Sequence, residues 1–135
     1  MKHLFIFIAA CLFLSCGQSS DKTGTGTKAE KIAQNFLNAY LHLDFDEALP
    51  LCGLALQADL ELSAQRFYSL SPDIQELLKK DLEVYQYTIN TIDFNPPKDS
   101  AFVAYTLFTP EAVDGIPSQL TVALEEQEWK VVKLL

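Results

Sequence analysis

The sequence predicts an α+β domain in which N-terminal helices pack on a curved, antiparallel, four-stranded sheet. Two observations carry this. Between residues 28 and 83 the apolar residues recur at spacings of three and four, and from Tyr85 onward they alternate with a period of two. The strand-like runs follow one another with no helical segment between them, so the layout is helices first and a meander afterwards, not alternating βαβ units.

The first helix is expected over about Lys28 to Leu43, where Ile32, Ala33, Phe36, Leu37, Tyr40 and Leu41 form two adjacent ladders on one face. Asp44 restarts the pattern with Glu47 at capping-box spacing, and Phe45, Ala48, Leu49 and Cys52 continue it until Pro50 shortens or kinks the helix. Residues 55–70 again mix apolar and polar side chains at helical spacing. Ser71-Pro72-Asp73 is a helix start with proline at the first position, and the helix to about Glu83 is expected to turn Ile74, Leu77, Leu78 and Leu82 inward.

Tyr85, Tyr87 and Ile89 share one strand parity, whereas Ile92 and Phe94 fall on the other. A bulge near Asn90 or Thr91 reconciles them. Asn95 to Ser100 reads as a turn and Ala101 to Thr109 as a central strand, because both of its faces are largely apolar. Pro110 to Pro117 is expected to be a longer loop. Leu120, Val122 and Leu124 mark a third strand, Glu126-Gln127 a tight turn, and Trp129 to Leu134 a fourth strand. No internal repeat is evident.

The chain opens with Lys2 and His3, then an apolar run from Leu4 to Leu14, then Ser15 and Cys16. That run has the length of a secretory core segment and falls short of the roughly 20 residues of a membrane-spanning helix. Residues 1–15 are therefore expected to be a signal peptide, with Cys16 as a lipid attachment point and 16–27 as a flexible, Gly-, Ser- and Thr-rich tether. Cys11 is the competing attachment point, but cleavage there leaves only about five apolar residues of the roughly 7 to 15 that a leader needs. An 11-residue tether spans about 15 to 20 Å on average. Two or three acyl chains, at about 0.8 kcal/mol per buried methylene, make a stable anchor. Residues 28–135 remain for a single domain.

The sequence carries 10 basic and 18 acidic side chains in 135 residues, a formal charge of −8, and losing Lys2 with the leader makes it −9. Such a surface repels phosphate backbones, and its cations do not cluster, so nucleic acid is excluded as a partner. A neutral or cationic partner fits better. With Cys11 removed and Cys16 lipidated, Cys52 has no cysteine to pair with, and its apolar neighbours make it a small buried hydrophobe. One histidine and one thiol make a poor metal site, and no cofactor motif is present.

Leu14-Ser15-Cys16-Gly17 resembles the lipobox of bacterial lipoproteins, with Phe13 where that pattern prefers leucine. The resemblance implies diacylglycerol on Cys16 and a cell-envelope address. Gly17, not aspartate, follows the cysteine, which favours the outer membrane. Ala33-Gln34-Asn35-Phe36-Leu37-Asn38-Ala39-Tyr40, its continuation Leu43-Asp44-Phe45-Asp46-Glu47-Ala48, and the closing strand that starts Glu128-Trp129-Lys130-Val131-Val132 resemble the nuclear-transport-factor-2-like, or cystatin-like, cone fold. More narrowly, the chain is similar to small Gram-negative lipoproteins carrying such a domain of unknown function, often called lumazine-binding-like. It departs from many of them in being mostly helical over Leu54 to Glu83, where they have an early edge strand.

Enzymes of that superfamily, such as ketosteroid isomerases and polyketide cyclases, hold an acid or base and a tyrosine inside the cone. The resemblance makes Tyr40, Tyr85, Tyr87, Tyr105 and Asp93 the pocket candidates, with His42 beside them. No fixed spacing links these residues, and fold alone is weak ground for function. Tyrosines at these periods are more often core or rim, Trp129 reads as core, and His42 reads as a solvated cation at a helix C-terminus. The expected function is a membrane-anchored, non-enzymatic domain that binds a small apolar ligand or an envelope protein through the open end of its cone; a dry, filled cone would count against both ligand binding and catalysis. An isomerase- or cyclase-type enzyme and a purely structural envelope component are the alternatives.

Overall fold

The computed structural model describes residues 25–135, so the leader, Cys11, Cys16 and the tether up to Gly24 lie outside the described residues. Helix α1 runs Thr25–Leu41, α2 Phe45–Ala48, α3 Leu54–Tyr68 and α4 Pro72–Leu82, with a 3-10 turn at Leu49–Leu51. Strands β1 (Gln86–Asn95), β2 (Ser100–Thr109), β3 (Ala112–Glu125) and β4 (Glu128–Leu134) form one antiparallel meander in that order. This is an α+β fold with helices on one face of an open sheet.

The α1 face builds the core. Ala29, Ala33, Phe36 and Leu37 have no solvent exposure, and they meet Val103, Leu120, Val122 and Val131 from β2, β3 and β4. The helix stops at Leu41, two residues before the sequence-based end, because its C-terminus closes in a Schellman motif. Leu43 takes a left-handed φ of 55°, its N–H bonds the Tyr40 carbonyl at 3.2 Å, and the Asp44 N–H bonds the Ala39 carbonyl at 2.9 Å. That geometry spends the chain's turn on the backbone, and the capping box expected from Asp44 and Glu47 does not form; α2 has no side-chain cap. Phe45, Ala48 and Cys52 are buried as their stripe predicts, and Pro50 sits in the 3-10 turn that ends it.

The predicted bulge lies between Ile89 and Thr91. It leaves Asn90 out of the ladder, where its side-chain amide donates to Thr106 Oγ1 at 2.9 Å, and it returns Ile92 and Phe94 to the face of Tyr87 and Ile89. The Glu126-Gln127 turn has φ of 50° and 69°, the two positive values that a two-residue hairpin matched to strand twist requires.

Two expectations are corrected. The loop expected at Pro110 to Pro117 is instead the start of β3, which begins at Ala112 and pairs Pro117 with Thr106. Because β4 reaches only as far as Leu120, this half of β3 is an edge, where a residue without an N–H loses no ladder bond. Gly115, at φ +87°, lets it pass close to Thr106, whose methyl group a Cβ would strike.

Helix α4 forms where expected, but Ile74, Leu77 and Leu78 do not turn inward: they are 44%, 53% and 37% exposed, and α4 has no buried residue. The inner sheet face is already covered by α1 and the first half of α3, while the end of α3 packs on Phe45, so α4 is left outside that layer. Its links to the body are peripheral. The Gln75 amide donates to the Leu70 carbonyl at 2.8 Å and, at 3.4 Å, to that of Tyr68, and Lys79 lies 5.8 Å from the Phe67 ring centre. Ser71 precedes the helix as predicted, yet its backbone carbonyl, not its hydroxyl, accepts from the Ile74 and Gln75 N–H groups.

Candidate functional site

The five pocket candidates separate into three places. Tyr40, on α1, stacks on Phe36 with ring centres 5.3 Å apart, and Tyr105 on β2 is buried under it. Burial pushes the Tyr105 hydroxyl above the ordinary tyrosine range, the Ser118 side chain opposes that rise, and Tyr40 adds to it. These two tyrosines are brought together by the α1 face and the inward parity of β2.

Tyr87 and Tyr85 lie at the rim. The Tyr87 hydroxyl is shared between Asn38 Oδ1 at 2.9 Å and the Gln34 carbonyl at 3.1 Å, so it straps β1 to α1. Burial also raises its pKa. Tyr85, just before β1, lines an open surface cleft of about 560 Å³ with Tyr87, Gln34, Asn38 and His42. The His42 ring donates from Nδ1 to the Asn38 carbonyl at 2.6 Å, closing the last turn of α1.

Asp93 is on the other side of the sheet. The bulge that turns Ile92 and Phe94 inward turns Asp93 outward, where it is exposed opposite Phe102. Among the described residues no carboxylate reaches the tyrosine pair, and none has a buried charged side chain. Asp93 therefore stands in solvent, apart from the tyrosines it was expected to join. Trp129 is core: it meets Phe94 edge to face at 5.9 Å. Among the described residues, no group of three or more His, Cys, Asp or Glu side chains could hold a metal ion.

A broader cleft opens where the 3-10 turn and the start of α3 meet the β3–β4 turn. It has a volume of about 950 Å³, and Asp46, Glu61, Glu125, Glu126 and Glu128 line it around a single cation, Lys130. Lys130 Nζ pairs with Glu128 Oε2 at 2.9 Å and donates to the Pro50 carbonyl at 2.8 Å. Glu125 reaches across 71 residues of sequence to accept from the Leu54 N–H at 3.1 Å. A carboxylate thus caps α3, a favourable place for negative charge. Gly53 makes room for it: a Cβ there would come within 2.6 Å of Glu125 Oε1. The cleft also borders Cys52, whose buried thiol donates to the Ala48 carbonyl at 3.5 Å. Burial pushes that thiol up to about 11, with Lys130 pulling the other way, so it is protonated and inert near neutrality. The glycine before a helix was the one local sign of this cap; its partner could not be read from sequence.

An open α+β meander of this size, with α1 laid across an inward sheet face and a bulged first strand, has counterparts among solved structures. An NTF-2 like protein of unknown function from Shewanella oneidensis MR-1 superposes with a TM-score of 0.52 at 13% identity, covering 80% of this chain and 94% of that one. The fold is NTF2-like. An NTF2-like protein of unknown function from Cytophaga hutchinsonii ATCC 33406 gives a TM-score of 0.41 at 10% identity, covering 79% and 89% of the two chains. No family model and no curated protein matches the sequence. The space between helices and sheet, where Tyr40 and Tyr105 lie, is occupied by the side chains of the core.

Proposed function

We propose that the chain is a membrane-anchored, extracytoplasmic lipoprotein, held through Cys16 in the outer membrane, whose NTF2-like domain is a non-enzymatic binding module. The anchor is supported by the leader, the small residue before Cys16 and the polar stretch after it. The binding role is carried by the open acidic cleft of about 950 Å³ beside the β3–β4 turn, since the space between helices and sheet is packed with apolar side chains, which counts against a ligand or catalysis inside the cone. Compared with a small apolar ligand held in the cone, an envelope protein engaged on the outside is the better-fitting partner. The acidic cleft and the formal charge of −8 favour a neutral or cationic one.

Cys16→Ala is expected to abolish acyl labelling and release the protein to the soluble fraction. Labelling that persists in Cys16→Ala and disappears in Cys11→Ala moves the anchor to Cys11. For the binding role, crosslinking in intact cells from the acidic surface, with native mass spectrometry of the purified protein, is expected to return a specific partner or a bound ligand. Recovery of neither defeats the binding module and leaves the structural alternative.

A further inference from the structure

Strand β3 contains one stretch that its neighbours do not hold. Thr109 pairs with Ala112 and Leu107 with Ile116, so Phe108 alone faces Val113, Asp114 and Gly115, none of which has a cross-strand partner in β2. The other side is open as well, because β4 pairs no further along β3 than Leu120. Asp114 is exposed in this gap. Gly115 follows it at φ +87°, and a Cβ there would strike the Thr106 methyl group and the Phe108 ring. The position admits glycine and little else, so the strand is obliged to carry an Asp-Gly step where its backbone is unpaired.

That step has a chemistry of its own. The peptide nitrogen that follows an aspartate is placed to attack the side-chain Cγ and close a five-membered imide. A side chain on the following residue crowds that nitrogen, and a ladder bond restrains it. Gly115 has no side chain, and the register gap supplies no partner for a ladder bond.

We propose that Asp114–Gly115 is a site of spontaneous backbone isomerisation in the folded protein. The Gly115 nitrogen forms a bond to Asp114 Cγ, the carboxyl hydroxyl leaves as water with the amide proton of Gly115, and a succinimide results. Water then opens the ring. Attack at Cγ restores aspartate, whereas attack at the main-chain carbonyl carbon of Asp114 gives isoaspartate, whose backbone runs through Cβ and Cγ. Nothing is oxidised or reduced, and the water lost in the first step is regained in the second. The product lengthens the main chain by one methylene and keeps the carboxylate. Three residues of β3 already lie against one of β2 here, so the pairs Thr109–Ala112 and Leu107–Ile116 absorb the insertion without moving.

The test incubates the folded full chain in water labelled with heavy oxygen, at about pH 5, where more of the carboxyl is in the acid form that loses water than at neutrality. The protein is then digested, and electron-transfer fragmentation locates label and isoaspartate residue by residue. Two aspartates serve as comparators. Asp99, in the exposed β1–β2 turn, is followed by the small Ser100, and Asp93 is followed by Phe94 within the paired part of β1. Label is expected to enter Asp114 severalfold faster than Asp99, and not to enter Asp93. The rate at Asp114 in the folded chain is expected to lie within about fivefold of that in the urea-unfolded chain, as for a backbone that needs no costly opening. Asp114→Glu, which keeps the charge and would need a six-membered ring, is expected to lose the label with its urea midpoint unchanged. A folded rate more than about fivefold below the unfolded one would mean that the strand holds the step closed. Label no faster than at Asp99 would mean that the glycine and the gap confer nothing. Either result overturns the proposal, as does label that persists at the same position in Asp114→Glu.

Discussion

Helices α1 and α4 carry the same kind of apolar stripe and end in opposite surroundings. In α1, Ala33, Phe36 and Leu37 are sealed against β2, β3 and β4; in α4, Ile74, Leu77 and Leu78 face outward. Neither differs much in local signal, since both repeat at three and four residues and both have polar opposite faces. What differs is what remains to be covered. A four-stranded sheet offers one inner face, and the longer helix takes it. Periodicity therefore identifies which side of a helix wants burial, and the sheet's width decides whether the same chain can supply the partner.

The sharpest way to break this contrast is to truncate one residue on each stripe. Phe36→Ala removes a fully buried ring from the centre of the core and is expected to cost about 4 kcal/mol of unfolding free energy. Leu77→Ala, on the exposed stripe, is expected to stay within about 0.5 kcal/mol in the dilute monomer. Urea denaturation of both variants reads the difference. Comparable losses would mean that α4 packs on the body after all.

Alkaline pH probes the body of the domain and not α4. Burial raises the pKa values of Cys52, Tyr87 and Tyr105, burial and the neighbouring Asp46 and Asp44 raise that of Tyr68, and none of the four is on α4. A group whose folded pKa lies above its unfolded one holds its proton more tightly in the native state, so its stabilisation is complete below the unfolded value and is lost as pH rises through the folded one. For Cys52 that window opens near 9 and closes at about 11. Stability is expected to be level with respect to these groups from pH 7 to 9 and to fall above it, and Cys52→Ala to make the fall shallower. A profile unchanged by that substitution places the titrating groups elsewhere.

Much of the fold was legible because it is local. The α1 ladder, the parity change that marks the Asn90 bulge, the Glu126-Gln127 turn and the short α2 ended by Pro50 are each set by residues within a few positions. The corrections are tertiary. Pro117 enters β3 because β4 ends too soon to need its N–H, and α4 stays exposed because α1 has taken the sheet. The candidate site shows the same division. The bulge read from sequence already implies that Asp93 points away from Tyr87 and Tyr105, whereas nothing near Gly53 in the sequence names Glu125 as its neighbour.

That remote cap gives a smaller, sharper test of how the acidic cleft is tied to the core. Gly53→Ala pushes aside the Glu125 carboxylate, the flexible end of a long side chain, so its cost should be the lost cap of about 1 kcal/mol. Glu125→Ala should cost the same, and the double variant no more than either single. Additive losses would show that Gly53 is needed by the backbone and not by Glu125.

The smallest effect concerns the strap between α1 and β1. Tyr87→Phe keeps the ring, half-buried against the core, and removes only the hydroxyl that the Asn38 side chain and Gln34 carbonyl share. Both acceptors are on exposed residues and recover water, so the loss is expected to be about 0.5 to 1 kcal/mol, the net worth of a hydrogen bond that solvent can replace. The exchange of backbone amides distinguishes a strap from a decoration: in Tyr87→Phe the residues of α1 around Gln34 and Asn38 should lose protection while those of α4 stay as they were. Faster exchange spread evenly over both helices would mean that Tyr87 supports global stability only, and that α1 is held by its buried face without the strap.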